Sequence, residues 1–253
     1  MGPTRIGIAG ITGRMGKLLA EAVPLAGATL AGGIGRDGDL AALAHDSDVV
    51  IDFTLAATVS RHAGILAASG TPWVLGTTGF DPAAEADIEA AAARIPVFQA
   101  ANFAPGVNLV IALAERLGAA LAAETHDAEI LEMHHRQKID APSGTALAIG
   151  AAVARGRGVE LDSVKDSGRD GHTGMRESGA IGFAALRGGQ IVGSHSAIFT
   201  SAVEQITLTH HALDRRVFAE SAVRVALWPA GRKPGAAACP TCSGLWRNIR
   251  TGS

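Results

Sequence analysis

Apolar and polar positions along the chain follow two regimes, with the change near Pro105. Before it, short apolar runs alternate with helical stretches. Ile6 to Ala9 is an apolar run that stops at Gly10 and is followed by the helical pattern KLLAEAVPLAG. ATLAGGI (28–34), SDVVIDFT (47–54), PWVLGTT (72–78) and IPVFQA (95–100) read as further strands, with helical stretches between most of them; AEADIEAAAAR is a plain Ala-rich helix. Such alternation predicts a parallel, doubly wound sheet, because parallel neighbours need crossover connections that place helices on the sheet faces.

After Pro105, VNLVIALAERLGAALA predicts a long helix and THDAEILEMHH a strand. AIGFAALRGG, QIVGSHSAIFTS and VEQITLTHHA read as strands of a mixed or antiparallel sheet joined by short Gly-containing turns. LDRRVFAESAVRVALW is an amphipathic helix. A second domain therefore begins near Pro105.

Composition narrows the function classes. The 253 residues are 47 % hydrophobic and 18 % charged, which suits a globular protein with a sizeable core. A formal charge of −2 offers no basic excess for a phosphate backbone, so nucleic acid is not the expected partner and a small ligand is. No apolar run approaches the roughly 20 residues that cross a bilayer, and MGPTRIGIAGITGRMG lacks the apolar core of a signal peptide. The expectation is a cytoplasmic protein with no membrane partner. The two cysteines, Cys239 and Cys242, form one CPTC with no second pair to complete a zinc site, so no metal is expected.

Gly10, Gly13 and Gly16 lie between the first strand and the first helix as GxxGxxG, with Thr12 where the common dinucleotide fingerprint has its second glycine. A turn of this kind aims backbone N–H groups and the positive end of a helix dipole at a phosphate. It serves equally as a packing turn in another α/β unit, and the surrounding strands favour the nucleotide. At the end of the second strand, where a ribose-binding acid is usual, stand Gly35 and Arg36. Arg36 suits a 2′-phosphate and so favours NADP, or it is an ordinary solvated arginine. GTTGF, with Gly76, Thr77 and Thr78, and AANFAPGVN, with Ala101 to Ala104 and an exposed Asn102, fall where strands release loops toward a cofactor. Both are also ordinary turn chemistry.

The densest chemistry is EMHHRQKIDAPSGTALAIG (132–150). Pro142 biases Ala141 away from helix, and Ser143 is a good N-cap for TALAIGAAVARG. His134 to Asp140 is then a strand end and loop leading into a helix. Gly144 and Thr145 in its first turn form a site for a carboxylate, while Arg136 and Lys138 add positive charge and a histidine titrates near neutral pH. The residues describe a pocket for a small polyanion with one or two proton donors; the alternative is a solvated loop with a helix cap. His134 and His135 are neighbours on an extended chain and point to opposite sides, which disfavours a shared metal.

The segments GITGRMG, DFT, GTTGF, AANFAPGVN, EMHHRQKIDAPSGTA, HTGMRESGAIGFAALRGGQIVGSH and LDRRVFA together resemble the dihydrodipicolinate reductases, from Ile6 to about Gly235. The resemblance implies an NAD(P)H-dependent reduction of the cyclic dicarboxylate 4-hydroxy-tetrahydrodipicolinate to tetrahydrodipicolinate, with loss of water, in diaminopimelate and lysine biosynthesis. It implies a Rossmann-like doubly wound parallel sheet plus an α+β domain with an open mixed sheet. The dinucleotide-binding domain would be 1–104, completed by the C-terminal helix and tail 213–253, and 105–212 the substrate-binding and oligomerisation domain of a homotetramer. His134 and Lys138 would be the proton donors; His135, Gly144 and Thr145 would contact substrate. Cofactor contacts would fall on Gly10, Ile11, Thr12, Gly13, Arg14, Met15, Arg36, Gly76, Thr77, Thr78, Ala101, Asn102, Phe103 and Ala104, with NADPH (favoured by Arg36) or NADH as reductant. The chemistry agrees: hydride reaching a ring carbon conjugated with an imine leaves an enamine-like anion, which a nearby acid must protonate.

Two departures stand out. Gly35 replaces the acid that some members carry before the arginine. After WPAGRKPG the family's apolar helix-forming segment is replaced by AAACPTCSGLWRNIRTGS, which predicts an altered C-terminus. Two competing functions share most of these features: a two-domain nicotinamide reductase acting on an amino-acid-derived imine or aldehyde, and a redox-sensing NADP-binding protein without turnover.

Overall fold

A computed structural model describes residues 2–228 and 235–237. The chain divides into two compact units, Met1–Pro105 with Arg215–Ser253, and Gly106–Asp214. The sequence places these breaks at 104/105 and 212/213.

In the first unit, β1 (Arg5–Ala9), β2 (Thr29–Ile34), β3 (Val49–Asp52), β4 (Trp73–Leu75) and β5 (Pro96–Gln99) alternate with α1 (Arg14–Leu25), α2 (Leu40–His45), α3 (Val59–Ser69) and α4 (Pro82–Ala92). β3, β4 and β5 end before their apolar runs do, because those runs continue into the loop at the carboxyl edge. All neighbours pair in parallel, and a further strand, Gly235–Ala237, extends the sheet beside β5. That strand lies beyond the five that the apolar pattern predicts. Its three residues, GAA, carry no periodic signal. The spatial order Gly235–Ala237, β5, β4, β3, β1, β2 reverses direction between β1 and β3. In open α/β sheets a ligand crevice opens at this point, because the flanking loops turn to opposite faces.

Both faces are covered. Leu19 and Val23 of α1 and Ala219, Ala222 and Val223 of the helix Arg216–Ala226 pack on Ile6, Ile8 and Ile51. Leu40, Leu43, Val59, Leu66 and Ile88 from α2, α3 and α4 pack on Val50, Trp73 and Leu75. Each buried Leu, Ile or Val among them contributes about 1.5–3 kcal/mol over exposure.

The second unit opens with α5 (Pro105–Ala120), followed by β6 (Asp127–His134), α6 (Gly144–Arg157), a turn of helix α7 (Leu161–Val164), β7 (Lys165–Ser167), β8 (Ile181–Arg187), β9 (Gly193–Thr200) and β10 (Gln205–Ala212). The sheet is mixed, in the order β10-β9-β6-β8-β7. Short turns do join the later strands, but only β9 and β10 form a hairpin. β8 and β9 flank β6, one parallel and one antiparallel to it, so their connection crosses the end of β6 at His134. Apolar periodicity does not encode strand order, which is why the chain pattern alone missed this.

β6 explains how a core strand delivers chemistry. Side chains alternate across a strand, so Ala128, Ile130, Glu132 and His134 share one face. Ala128 and Ile130 pack with Val110 and Ala114 of α5 and Ile149 and Val153 of α6. Glu132 and His134 continue the same buried row, but as polar groups.

Candidate active site

In the first unit the glycine turn has the conformation that a phosphate site needs. Gly10 has φ +89°, and a Cβ there would lie 2.6 Å from the Phe53 carbonyl oxygen; one on Gly16 would collide with the Gly10 carbonyl. The turn's own backbone fills the space at both positions, so glycine is required there by close packing. α1 begins at Arg14 with Gly13 as N-cap and no side chain capping it, so no side chain occupies its N-terminal N–H groups.

One pocket at the β1/β3 switch is lined by Gly10, Thr12, Gly13, Gly35 and Arg36, together with Phe53, Thr54, Leu55, Thr58, Arg61 and His62. The second group was not singled out from the sequence, although DFT sits at the end of β3. Behind it, fully buried Asp52 accepts from the Thr54 hydroxyl at 2.6 Å and backbone at 3.1 Å, and pairs with His62 Nδ1 at 2.7 Å. This ties the β3 loop to α3.

The remaining cofactor candidates are not part of that pocket's lining. Gly76 faces the Phe53 ring, and the Phe53 and Phe103 rings lie 5.6 Å apart. The Thr77 hydroxyl accepts from Thr54 N at 3.0 Å and is buried, so it secures the loop; Thr78 is exposed. Asn102 is half-buried rather than exposed, and its Oδ1 accepts from Ala104 N at 2.8 Å, a turn closure. Phe103 and Ala104 are buried, while Ile11 and Met15 pack against the core. Arg14 and Ala101 are exposed.

In the second unit the sheet register builds the site. Glu132 lies opposite His195 of β9, and His134 opposite Arg187 of β8. Glu132, only 1 % exposed, is held from four directions: Arg187 Nη1 at 2.8 Å and Nη2 at 2.7 Å, Ser143 N at 3.1 Å, and His134 Nδ1 at 2.6 Å. Burial alone would raise its carboxyl pKa, but the hydrogen bonds from Arg187 and His134 outweigh it and hold the group below the usual range. Arg187 is correspondingly held above its ordinary value, chiefly by the bond to Glu132.

His134 is therefore fixed with Nδ1–H donating to a carboxylate, which leaves Nε2 as the acceptor of the neutral ring. Burial pushes its pKa down, and Lys138 and Arg187 add to this; Glu132 opposes but does not reverse it. The ring edge packs on His195, with centroids 5.0 Å apart at 71°. His195 is buried, its Nε2 lies 3.1 Å from Ser143 Oγ, and burial pushes its pKa down to about 3. It is neutral at working pH.

Ser143 joins this network to α6. Its Oγ accepts from Ala146 N at 3.2 Å as the N-cap, and Gly144, the first residue of the helix, is exposed with open space where a Cβ would be. Thr145 follows and is 8 % exposed. His135, directly after β6, is half-buried. Lys138 Nζ is held by Asp140 Oδ1 at 2.7 Å and Oδ2 at 2.9 Å, so part of the loop's positive charge is balanced internally; Arg136 is exposed. His134, His135, Lys138, Gly144 and Thr145 thus cluster where β6 meets α6. Glu132, Arg187 and His195 complete that cluster without having been singled out, together with Ser143, which the sequence marks only as a helix cap. For Glu132 a signal existed: a carboxylate on the apolar face of a strand, two residues before a histidine.

Among the described residues no group of three or more His, Cys, Asp or Glu could hold a metal, and no helix is long and apolar enough to cross a membrane. CPTC lies outside the described residues.

A glycine-turn crevice in a doubly wound sheet, with an acid–base cluster in a second domain, defines a Rossmann-type dinucleotide-binding oxidoreductase. Family models described as dihydrodipicolinate reductase, N-terminus and C-terminus, match residues 4–103 and 106–239. A 4-hydroxy-tetrahydrodipicolinate reductase of Acidiphilium cryptum (strain JF-5) is 93 % identical over 231 residues, covering 91 % of this chain and 94 % of that protein. One of Gluconacetobacter diazotrophicus is 60 % identical over 239 residues, covering 91 % and 93 %. The chain belongs to the dihydrodipicolinate reductase family. The fold is also that of a dipicolinate-bound dihydrodipicolinate reductase from Paenisporosarcina sp. TG-14, with TM-score 0.70 and 24 % identity over 94 % of this chain and 98 % of that one.

Proposed function

We propose that this chain reduces 4-hydroxy-tetrahydrodipicolinate to tetrahydrodipicolinate, with loss of water, in diaminopimelate and lysine biosynthesis. The observation that carries the reading is the cluster around Glu132 and His134 at the N-terminus of α6: a fixed acid–base pair beside a helix start suited to a carboxylate. A bound nicotinamide nucleotide supplies the hydride. The chain's own residues do the rest. Gly144 and Thr145 hold one substrate carboxylate, and His135 contacts another part of the ring. Lys138, the ion-paired cation of the loop, delivers the proton that neutralises the enamine-like anion. Neutral His134 presents Nε2 as acceptor for a ring proton, and the imidazolium so formed, stabilised by Glu132, donates that proton to the departing hydroxyl, which leaves as water.

Gly10 to Met15, Arg36, Gly76 to Thr78 and Ala101 to Ala104 are the proposed cofactor contacts, with NADPH preferred through Arg36. The N-terminus of α1, which no side chain caps, fits a pyrophosphate. The proposal extends to a cytoplasmic homotetramer, on family resemblance.

The test is a coupled assay that forms the unstable substrate in situ from pyruvate and aspartate semialdehyde and follows NADPH and NADH oxidation separately. Oxidation that depends on the dicarboxylate supports the reading. Oxidation with an amino-acid-derived imine or aldehyde instead would replace it by the more general nicotinamide reductase. Binding without any oxidation would leave a redox-sensing protein.

A further inference from the structure

Two arginines line the pocket at the β1/β3 switch: Arg36, after β2, and Arg61, in the first turn of α3. Arg61 is not among the residues proposed to contact cofactor or substrate. Neither side chain is paired with a described residue, and the pocket lining contains no carboxylate. Of the nearby acids, Asp37 follows Arg36 in the chain but is exposed and outside the pocket lining, and two others are committed elsewhere. Asp39 caps α2 by accepting from Ala41 N and Ala42 N, and buried Asp52 is taken up by Thr54 and His62.

The position of Arg61 is also electrostatically unfavourable for the free protein. It is the third residue of α3, a helix with no acid in its first turn and no side-chain cap. A cation there meets the positive end of the helix dipole, where an anion is stabilising and a cation is not. An uncompensated arginine at a helix N-terminus, facing a second uncompensated arginine's pocket, is explained by an anion that both would bind. The turn from Gly10 to Gly16 already offers the α1 N-terminus to a pyrophosphate, while the end of β2 is where the adenosine ribose is read. The remaining anion of such a ligand is a phosphomonoester on that ribose.

We propose that Arg61 and Arg36 together grip the 2′-phosphate of NADPH, so that Arg61, from α3, is a second determinant of cofactor choice. The inference rests on the dinucleotide reading of this pocket. Two guanidinium groups match a dianionic phosphate better than one, and each charge-assisted contact is worth about a factor of ten in affinity.

Calorimetric titration of the full chain and of Arg61→Gln with NADPH, NADH and adenosine 2′,5′-bisphosphate tests it without turnover. The expected result is roughly tenfold weaker binding of NADPH and of the bisphosphate by the variant, with NADH changed by less than about twofold. Equal losses for NADPH and NADH would place Arg61 on the pyrophosphate or adenine and overturn the inference, as would no change in either. A parent chain that binds none of the three would overturn the dinucleotide reading itself. A parent that binds NADPH, with an Arg61→Gln chain that binds it equally well, would overturn only the role of Arg61. Arg61 is exposed, so the substitution leaves the core intact.

Discussion

Glu132 Oε2 and His134 Nδ1 lie 2.6 Å apart on one face of β6, two residues from each other along the strand. Strand alternation puts both side chains on the face that α6 covers, and the ion pair with Arg187 keeps the carboxylate charged although it is buried. The histidine consequently has one tautomer and one orientation.

Glu132→Gln keeps the shape and removes the charge. Arg187 then loses its buried partner, and the protein should be destabilised by about 3 kcal/mol, measured by urea unfolding. Because Glu132 is what raises the His134 pKa against burial, its removal moves that pKa further down. The acid limb of kcat/KM should shift to lower pH and kcat should fall about tenfold. A stability loss with an unmoved pH profile would show that Glu132 only supports the fold.

His195 makes stability depend on acid. Its folded pKa is about 3 against an ordinary 6.5, so between these values the unfolded chain binds a proton that the folded one does not. Stability therefore rises with pH across this window and is lost as pH falls from about 6.5, by roughly 1.4 kcal/mol per unit from this group. His195→Gln should flatten the acid side of a stability–pH curve by about one proton's slope. An unchanged slope would contradict a buried, neutral His195.

Gly193 starts β9 beside the reactive face of His134. A Cβ there would sit 3.1 Å from His134 Nε2, closer than ordinary contact. Gly193→Ala should crowd the nitrogen that acts as acceptor, lowering kcat by about tenfold while cofactor affinity, read by titration, stays unchanged. Equal activity would mean that His134 has room to move.

Much of this was legible in the chain. The apolar runs gave the parallel sheet, and Pro142 with Ser143 gave the start of α6, because both signals are local. The partners of Glu132 were not legible. Arg187 and His195 lie 55 and 63 residues away in sequence, and only the pairing of β8 and β9 on either side of β6 brings them in. In the first unit, Asp52 and His62 were hidden for the opposite reason: both lie in segments whose apolar neighbours mark them simply as strand and helix. The side chains of Thr77 and Asn102, both proposed cofactor contacts, also hold their turns through hydrogen bonds to Thr54 and Ala104, a part that residue type does not reveal.

The central claim is that Lys138 protonates the reduced dicarboxylate. Single-turnover reduction of the in situ substrate under saturating NADPH, by the parent chain and by Lys138→Ala, tests it most directly. The expected result is a rate at least about a hundredfold lower in the variant, with NADPH affinity unchanged. Equal rates in the two chains would contradict it.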